Sequence, residues 1–109
     1  MSSLRDKTNN KIVKKMKVYC KTHKKQDYYV VAVCDEDILG KPFGSQKISP
    51  YFYQGDLIEI PRALDLLRTA LNFNIAGKFI IKACVDSGII TEKGIITMDN
   101  IPCAMKLCF

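Results

Sequence analysis

The stretch Tyr28-Tyr29-Val30-Val31-Ala32-Val33-Cys34 decides the fold. Its residues are β-branched, aromatic or small and almost wholly apolar, the composition of a central strand buried on both faces. Just upstream, Met16 to Thr22 sets Val18 and Tyr19 between lysines and reads as a first strand, with Lys24-Lys25-Gln26-Asp27 as a polar turn. Two strands joined by so short a connection predict an antiparallel hairpin. Just downstream, Asp35 stands where an N-cap would accept from backbone N–H groups one turn on. Glu36 and Asp37 suit the first turn of that short helical piece, and Gly40 suits its end.

Further out, Lys41 to Gln46 reads as loop and Lys47 to Ser49 as a short edge strand. Pro50 to Asp56 is turn-rich and aromatic, and a brief apolar run, Leu57-Ile58, follows. Pro61 suits the first turn of a helix, where a missing N–H costs nothing. Leu64, Leu67, Ala70 and Leu71 then recur at helical spacing, with Arg62, Asp65, Arg68 and Thr69 toward water. Asn74-Ile75-Ala76-Gly77 reads as the link to a second helix over 78–87, with Phe79, Ile80, Ala83 and Cys84 as its apolar stripe and Gly88 as its stop. Lys82 and Asp86 can pair across one turn. Ile89-Ile90, Gly94 to Met98 and Cys103 to Cys108 read as short closing strands. The expected fold is a single compact α+β domain over residues 16–109: a small, mostly antiparallel sheet, two main helices, and a basic N-terminal arm over residues 1–15.

Charge is the most informative feature for function. Residues 1–25 hold nine basic side chains and one acid, a net +8, whereas residues 26–109 hold eight and ten, a net −2. A block this one-sided points to an anionic partner, because each Lys or Arg that neutralises a phosphate releases counterions. The arm lacks the bulky apolar face of an interfacial helix, having only Leu4, Ile12, Val13 and Met16. RNA is therefore the expected partner. Arg5, Lys7, Lys11, Lys14, Lys15 and Lys17 are the candidate phosphate contacts, extended by Lys21, His23, Lys24 and Lys25. A solubilising tail is the plainer reading of the same charges.

No apolar run approaches the ~18 residues of a membrane span, and the first residues lack the apolar stretch of a secretory signal. Five cysteines, an odd number at irregular spacing, fit a reducing compartment, so the expected location is the cytoplasm.

Candidate sites for chemistry are few. Cys34-Asp35-Glu36-Asp37 sets a thiol among carboxylates, but carboxylates raise a thiol's pKa, the wrong direction for a nucleophile. Capping and burial explain those residues more simply. Cys20 and His23 have C-x-x-H spacing, and Cys103 and Cys108 would complete four ligands. The last two are five apart on an expected strand and so point to opposite faces, which argues against zinc. Of Tyr51, Phe52 and Tyr53, three adjacent rings that could stack bases, at least one is expected in the core. No Gly-rich phosphate loop is present. No catalytic residue, metal or cofactor is assigned.

Ala32-Val33-Cys34-Asp35-Glu36-Asp37-Ile38-Leu39-Gly40-Lys41 resembles the signature of an archaeal family, domain-of-unknown-function family 424. Asn74-Ile75-Ala76-Gly77-Lys78 and Ile101-Pro102-Cys103-Ala104 are similar to that family as well. The resemblance spans about residues 16–108. It implies a single small domain containing helices and strands, an archaeal cytoplasm and translation-related company, and it supplies no catalytic residues. Cys103 departs from the histidine frequent at that position in the family, and the basic arm is longer than usual. The expected function is thus an RNA-binding protein of the ribosome or translation machinery, contacting ribosomal RNA or another structured RNA and, with it, ribosomal proteins. Two other readings stay open. One is a protein-interaction adaptor in translation or ribosome assembly, using Ile48–Phe52 or Met105–Phe109; the other is a small enzyme centred on Cys34–Asp37.

Overall fold

The computed structural model describes residues 16–108. The expected hairpin forms from β1 (Lys17–Lys25) and β2 (Tyr28–Asp35), which pair antiparallel from Val18 opposite Asp35 to Lys25 opposite Tyr28. β1 runs three residues past Thr22, so His23, Lys24 and Lys25 lie on the strand and Gln26-Asp27 alone make the turn. Three elements follow: a 3-10 turn at Glu36–Ile38, the two-residue strands β3 (Pro42–Phe43) and β4 (Gln46–Lys47), and a one-turn helix α1 (Pro50–Tyr53). The chain then forms β5 (Asp56–Glu59), α2 (Ile60–Thr69), β6 (Phe73–Ala76) and α3 (Lys78–Asp86). It closes with a 3-10 turn at Glu92–Gly94, β7 (Ile96–Met98) and β8 (Ile101–Lys106).

The domain is α+β. Its main sheet has six strands in the order β5-β1-β2-β6-β8-β7, antiparallel except where β2 and β6 run parallel; β3 and β4 form a separate pair. One face of the sheet carries α2 and α3. There Val18, Cys20, Val31, Val33, Phe73, Ile75 and Ala104 pack against Ile60, Ala63 and Leu67 of α2 and Ile80, Ile81 and Cys84 of α3. Each large aliphatic or aromatic side chain so buried contributes about 1.5–3 kcal/mol before the entropy of ordering is subtracted. The opposite face is covered only in part, by the excursion between β2 and β5, through Ile38, Ile48 and Tyr53 packed on Ala32, Cys34, Ala76 and Ile101.

The segment Asn74–Ala76, read from the sequence as part of an interhelical link, lies in strand β6 in the middle of the sheet. Four residues between two helices give too short an apolar run to stand out, and Asn74 interrupts it. That amide is accommodated because its Oδ1 accepts from the Tyr53 hydroxyl at 2.6 Å. Leu71 falls beyond the end of α2 and is 57% exposed, so it does not continue the helix's apolar stripe. Ile89-Ile90 forms no strand and follows α3 as a turn packed partly against the core.

Candidate nucleic-acid interface

Strand periodicity sorts the basic residues of β1. Val18 and Cys20 face the helices, so Thr22 and Lys24 share that side, while Lys17, Tyr19, Lys21, His23 and Lys25 share the other. Four of the five described residues singled out by charge therefore lie on the half-covered face, and Lys24 does not. Arg5, Lys7, Lys11, Lys14 and Lys15 lie outside the described residues.

Helix α1 docks beside this row. Ser49 Oγ accepts from Phe52 N at 3.2 Å and Pro50 fills the first turn, which fixes the short helix locally. Lys21 Nζ donates to the Tyr51 carbonyl at 2.8 Å and lies 4.8 Å from the centre of the Tyr51 ring. His23 stacks on Phe52, with ring centres 4.7 Å apart and planes 13° from parallel. Its Nε2 sits 2.7 Å from the Phe52 carbonyl oxygen, which can only accept, so Nε2 carries the proton. The three adjacent aromatics divide as anticipated. Tyr53 is buried, Phe52 is half-buried and makes an edge contact with Tyr53, and Tyr51 is 82% exposed. An accessible ring thus stands beside an ammonium and an imidazole held by backbone carbonyls.

The electrostatic setting is one-sided. Among the described strand positions on this face the single carboxylate is Glu59, set opposite Lys17 by the β1–β5 register and away from Lys21, His23 and Lys25. The ion pairs among the described residues, Arg68–Asp65 and Lys82–Asp86, lie on the helices. Tyr28, opposite Lys25, is 54% exposed, and Met105, two strands further on, is 59% exposed. The sequence named Tyr28 only as part of the β2 run and Met105 only within the apolar segment Met105–Phe109; strand alternation in β2 and β8 is the signal that places them here.

A family model described as protein of unknown function (DUF424) matches residues 23–108. The chain belongs to this family. A crystal structure of an uncharacterized conserved protein from Methanopyrus kandleri is similar to it, with 30% identity and a TM-score of 0.70, covering 85% of this chain and 94% of that one. No curated protein matches. The matched DUF424 region starts at His23, so the basic arm and the first part of β1 precede it.

The Cys34–Asp37 motif of this DUF424 chain has a structural explanation that differs from the one its sequence suggested. Asp35 makes no cap bond to its own 3-10 turn. Its carboxylate instead accepts from Phe79 N at 2.8 Å and Ile80 N at 2.9 Å, in the first turn of α3 and more than 40 residues on. The parallel pairing causes this: Cys34 stands beside Ala76, so the residue after β2 meets the start of the helix after β6. Gly77, at φ +121°, makes the junction possible, since a Cβ there would overlap the Asp35 carboxylate. Burial pushes the Asp35 carboxyl up to about 6, against the pull of its two backbone donors and with a small push from Asp37. Burial, then Asp35 and Asp37, push the Cys34 thiol up to about 12, which leaves it protonated and inert.

A cavity of about 380 Å³ opens beside this junction, lined by Asp37, Lys41, Lys78 and Asp99 among others. Two of the donors at the start of α3, Phe79 N and Ile80 N, are already taken by Asp35, and Asp99 Oδ2 accepts from Gly44 N at 2.7 Å. Cys20 and His23, whose C-x-x-H spacing was weighed above and set aside, point to opposite faces of β1. Among the described residues no group of three or more His, Cys, Asp or Glu side chains converges.

Proposed function

We propose that this DUF424 chain is an RNA-binding protein of the translation machinery, working in the cytoplasm. In this reading it grips single-stranded or looped RNA on the half-covered face of its sheet. The observation that carries the reading is the exposed Tyr51 ring flanked by Lys21 and His23, at an end of the face without strand carboxylates. Aromatic rings stack on any base, and neighbouring cations track the phosphates. Lys17 and Lys25 extend the row along β1, while Arg5, Lys7, Lys11, Lys14 and Lys15 would add phosphate contacts from the arm. Lys24, on the other face, has a smaller share. Ribosomal RNA, or another structured RNA with an accessible loop, is the partner of matching chemistry, with ribosomal proteins beside it. The protonated Cys34 thiol and the engaged Asp35 carboxylate support a binding role over an enzyme.

A second reading, a protein-interaction adaptor, draws on the exposed Ile96, Met98, Met105 and Leu107 near β7 and β8. Of the two apolar segments first considered for it, Ile48–Phe52 fits poorly, because Ile48 is buried in the core.

Sedimentation of a native lysate at low and high salt tests the ribosomal part. Co-migration with a ribosomal subunit, lost at high salt or on deleting residues 1–15, is the expected result. Migration at the top of the gradient at both salts would overturn it, and a complex that survives high salt and nuclease would favour the adaptor.

A further inference from the structure

A second cavity, of about 350 Å³, lies at the rim of the sheet where the β1–β2 turn, the start of β6 and the end of β8 meet. Tyr28 and Tyr29 point to opposite faces of β2, so a cavity bordered by both sits at the strand's end rather than on either face. Leu71 and Cys108 complete its apolar wall, and Asp27 stands at its edge.

The floor is preformed. Asn72, 4% exposed, donates through Nδ2 to the Tyr29 carbonyl at 3.1 Å and accepts through Oδ1 from Cys108 N at 2.8 Å. Its own carbonyl accepts from Val31 N at 3.1 Å. One buried amide thereby ties β2, the approach to β6 and the chain after β8 into a fixed frame. Its size is at the small end of the roughly 300–1,000 Å³ typical of ligand sites, which suits one flat ring.

We infer that this rim cavity receives a single splayed guanine of the bound RNA. The inference rests on the RNA-binding reading and deepens it. The chemistry of the lining selects the base. Among the described residues no Lys or Arg lines the cavity, so its described wall presents no cation to a phosphate. Asp27 offers two acceptor oxygens and no donor. Guanine presents two adjacent donors on its Watson–Crick edge, N1–H and N2–H, which match a carboxylate bidentately; each other base presents a single donor position there. Tyr28 and Tyr29 supply aromatic surface for the ring. Lys25 neighbours Tyr28 across the hairpin, so a strand following Lys21 and His23 along β1 reaches the rim with its phosphates still beside a cation.

The test uses the full chain and two fluorescein-labelled RNAs, an oligouridylate and the same oligomer with one central guanosine, read by anisotropy. The guanosine oligomer is expected to bind about tenfold tighter, in line with a charge-assisted hydrogen-bond pair. Asp27→Asn, an exposed turn substitution, should erase that preference while tightening oligouridylate binding by no more than about twofold, the effect of one negative charge removed beside Lys25. Equal binding of both oligomers by the unaltered chain would overturn the guanine pocket while leaving the RNA reading intact. Binding of neither would overturn both. A preference that survives Asp27→Asn would also overturn the assignment.

Discussion

Two regions of the β1–β2 hairpin are built on opposite terms. At the carboxyl end of β2, Asp35 is buried and both carboxylate oxygens are spent on the backbone of α3, with Gly77 shaped to admit them. Along the neighbouring stretch of β1, Lys21 and His23 are held by carbonyls of α1, yet among the described residues no carboxylate pairs with the Lys21 ammonium, and the adjoining Tyr51 ring faces water. The first region is closed on itself and belongs to stability. The second is ordered but unsatisfied, the state of a surface that awaits a ligand. The more conspicuous sequence motif, Cys34–Asp37, sits in the closed region, so a cluster of ionisable residues is a poor guide to function until its hydrogen bonds are traced.

The comparison breaks first at Gly77. Gly77→Ala forces a side chain into the Asp35 carboxylate at a φ that L residues avoid. It should destabilise the fold by about 3 kcal/mol in chemical denaturation and leave the RNA affinity of the folded fraction unchanged. A loss under about 1 kcal/mol would show that the junction is looser than described. Asp35→Ala, which leaves two helix N–H groups without their acceptor, should cost about 2 kcal/mol.

The same carboxyl gives the junction a pH signature. Its folded value of about 6 lies above the ordinary 3.8, so between those values the native state keeps a proton the unfolded chain has lost. The contribution is therefore full below about pH 4 and fades as pH rises through 6, by an amount on the order of 2–3 kcal/mol. Denaturation midpoints of the unaltered chain and Asp35→Asn across pH 4–7 should differ in slope accordingly; parallel curves would mean the group titrates as it does in water. In the open region the effects reverse: Tyr51→Ala should weaken RNA binding by about 1–2 kcal/mol and move the thermal midpoint little, because the ring contacts water rather than core.

Much of this architecture was legible in the sequence. The hairpin followed from the apolar run at Tyr28–Cys34, and both main helices from apolar spacing and from Pro61 and Gly88. The parallel strand β6 was not, because four residues with Asn74 among them leave no periodic signal. The true partner of Asp35 was hidden for a related reason: local capping rules look one turn ahead, whereas the observed bond spans 44 residues and exists only because β2 and β6 run parallel. For the interface, charge asymmetry picked out β1 but put His23, Lys24 and Lys25 at its turn. The period of two then separates Lys24 from its neighbours, and the contact with α1, some 30 residues away, depends on tertiary packing alone.

The most direct measurement is an anisotropy titration of single-stranded RNA against the full chain and two lysine variants of equal charge change. Lys21→Ala, on the Tyr51 face, is expected to lose about fivefold in affinity, equivalent to roughly 1 kcal/mol, and Lys24→Ala, on the helix face, twofold or less. Equal losses from the two faces would contradict a binding surface built on one side of β1 and leave only a diffuse attraction of positive charge for RNA.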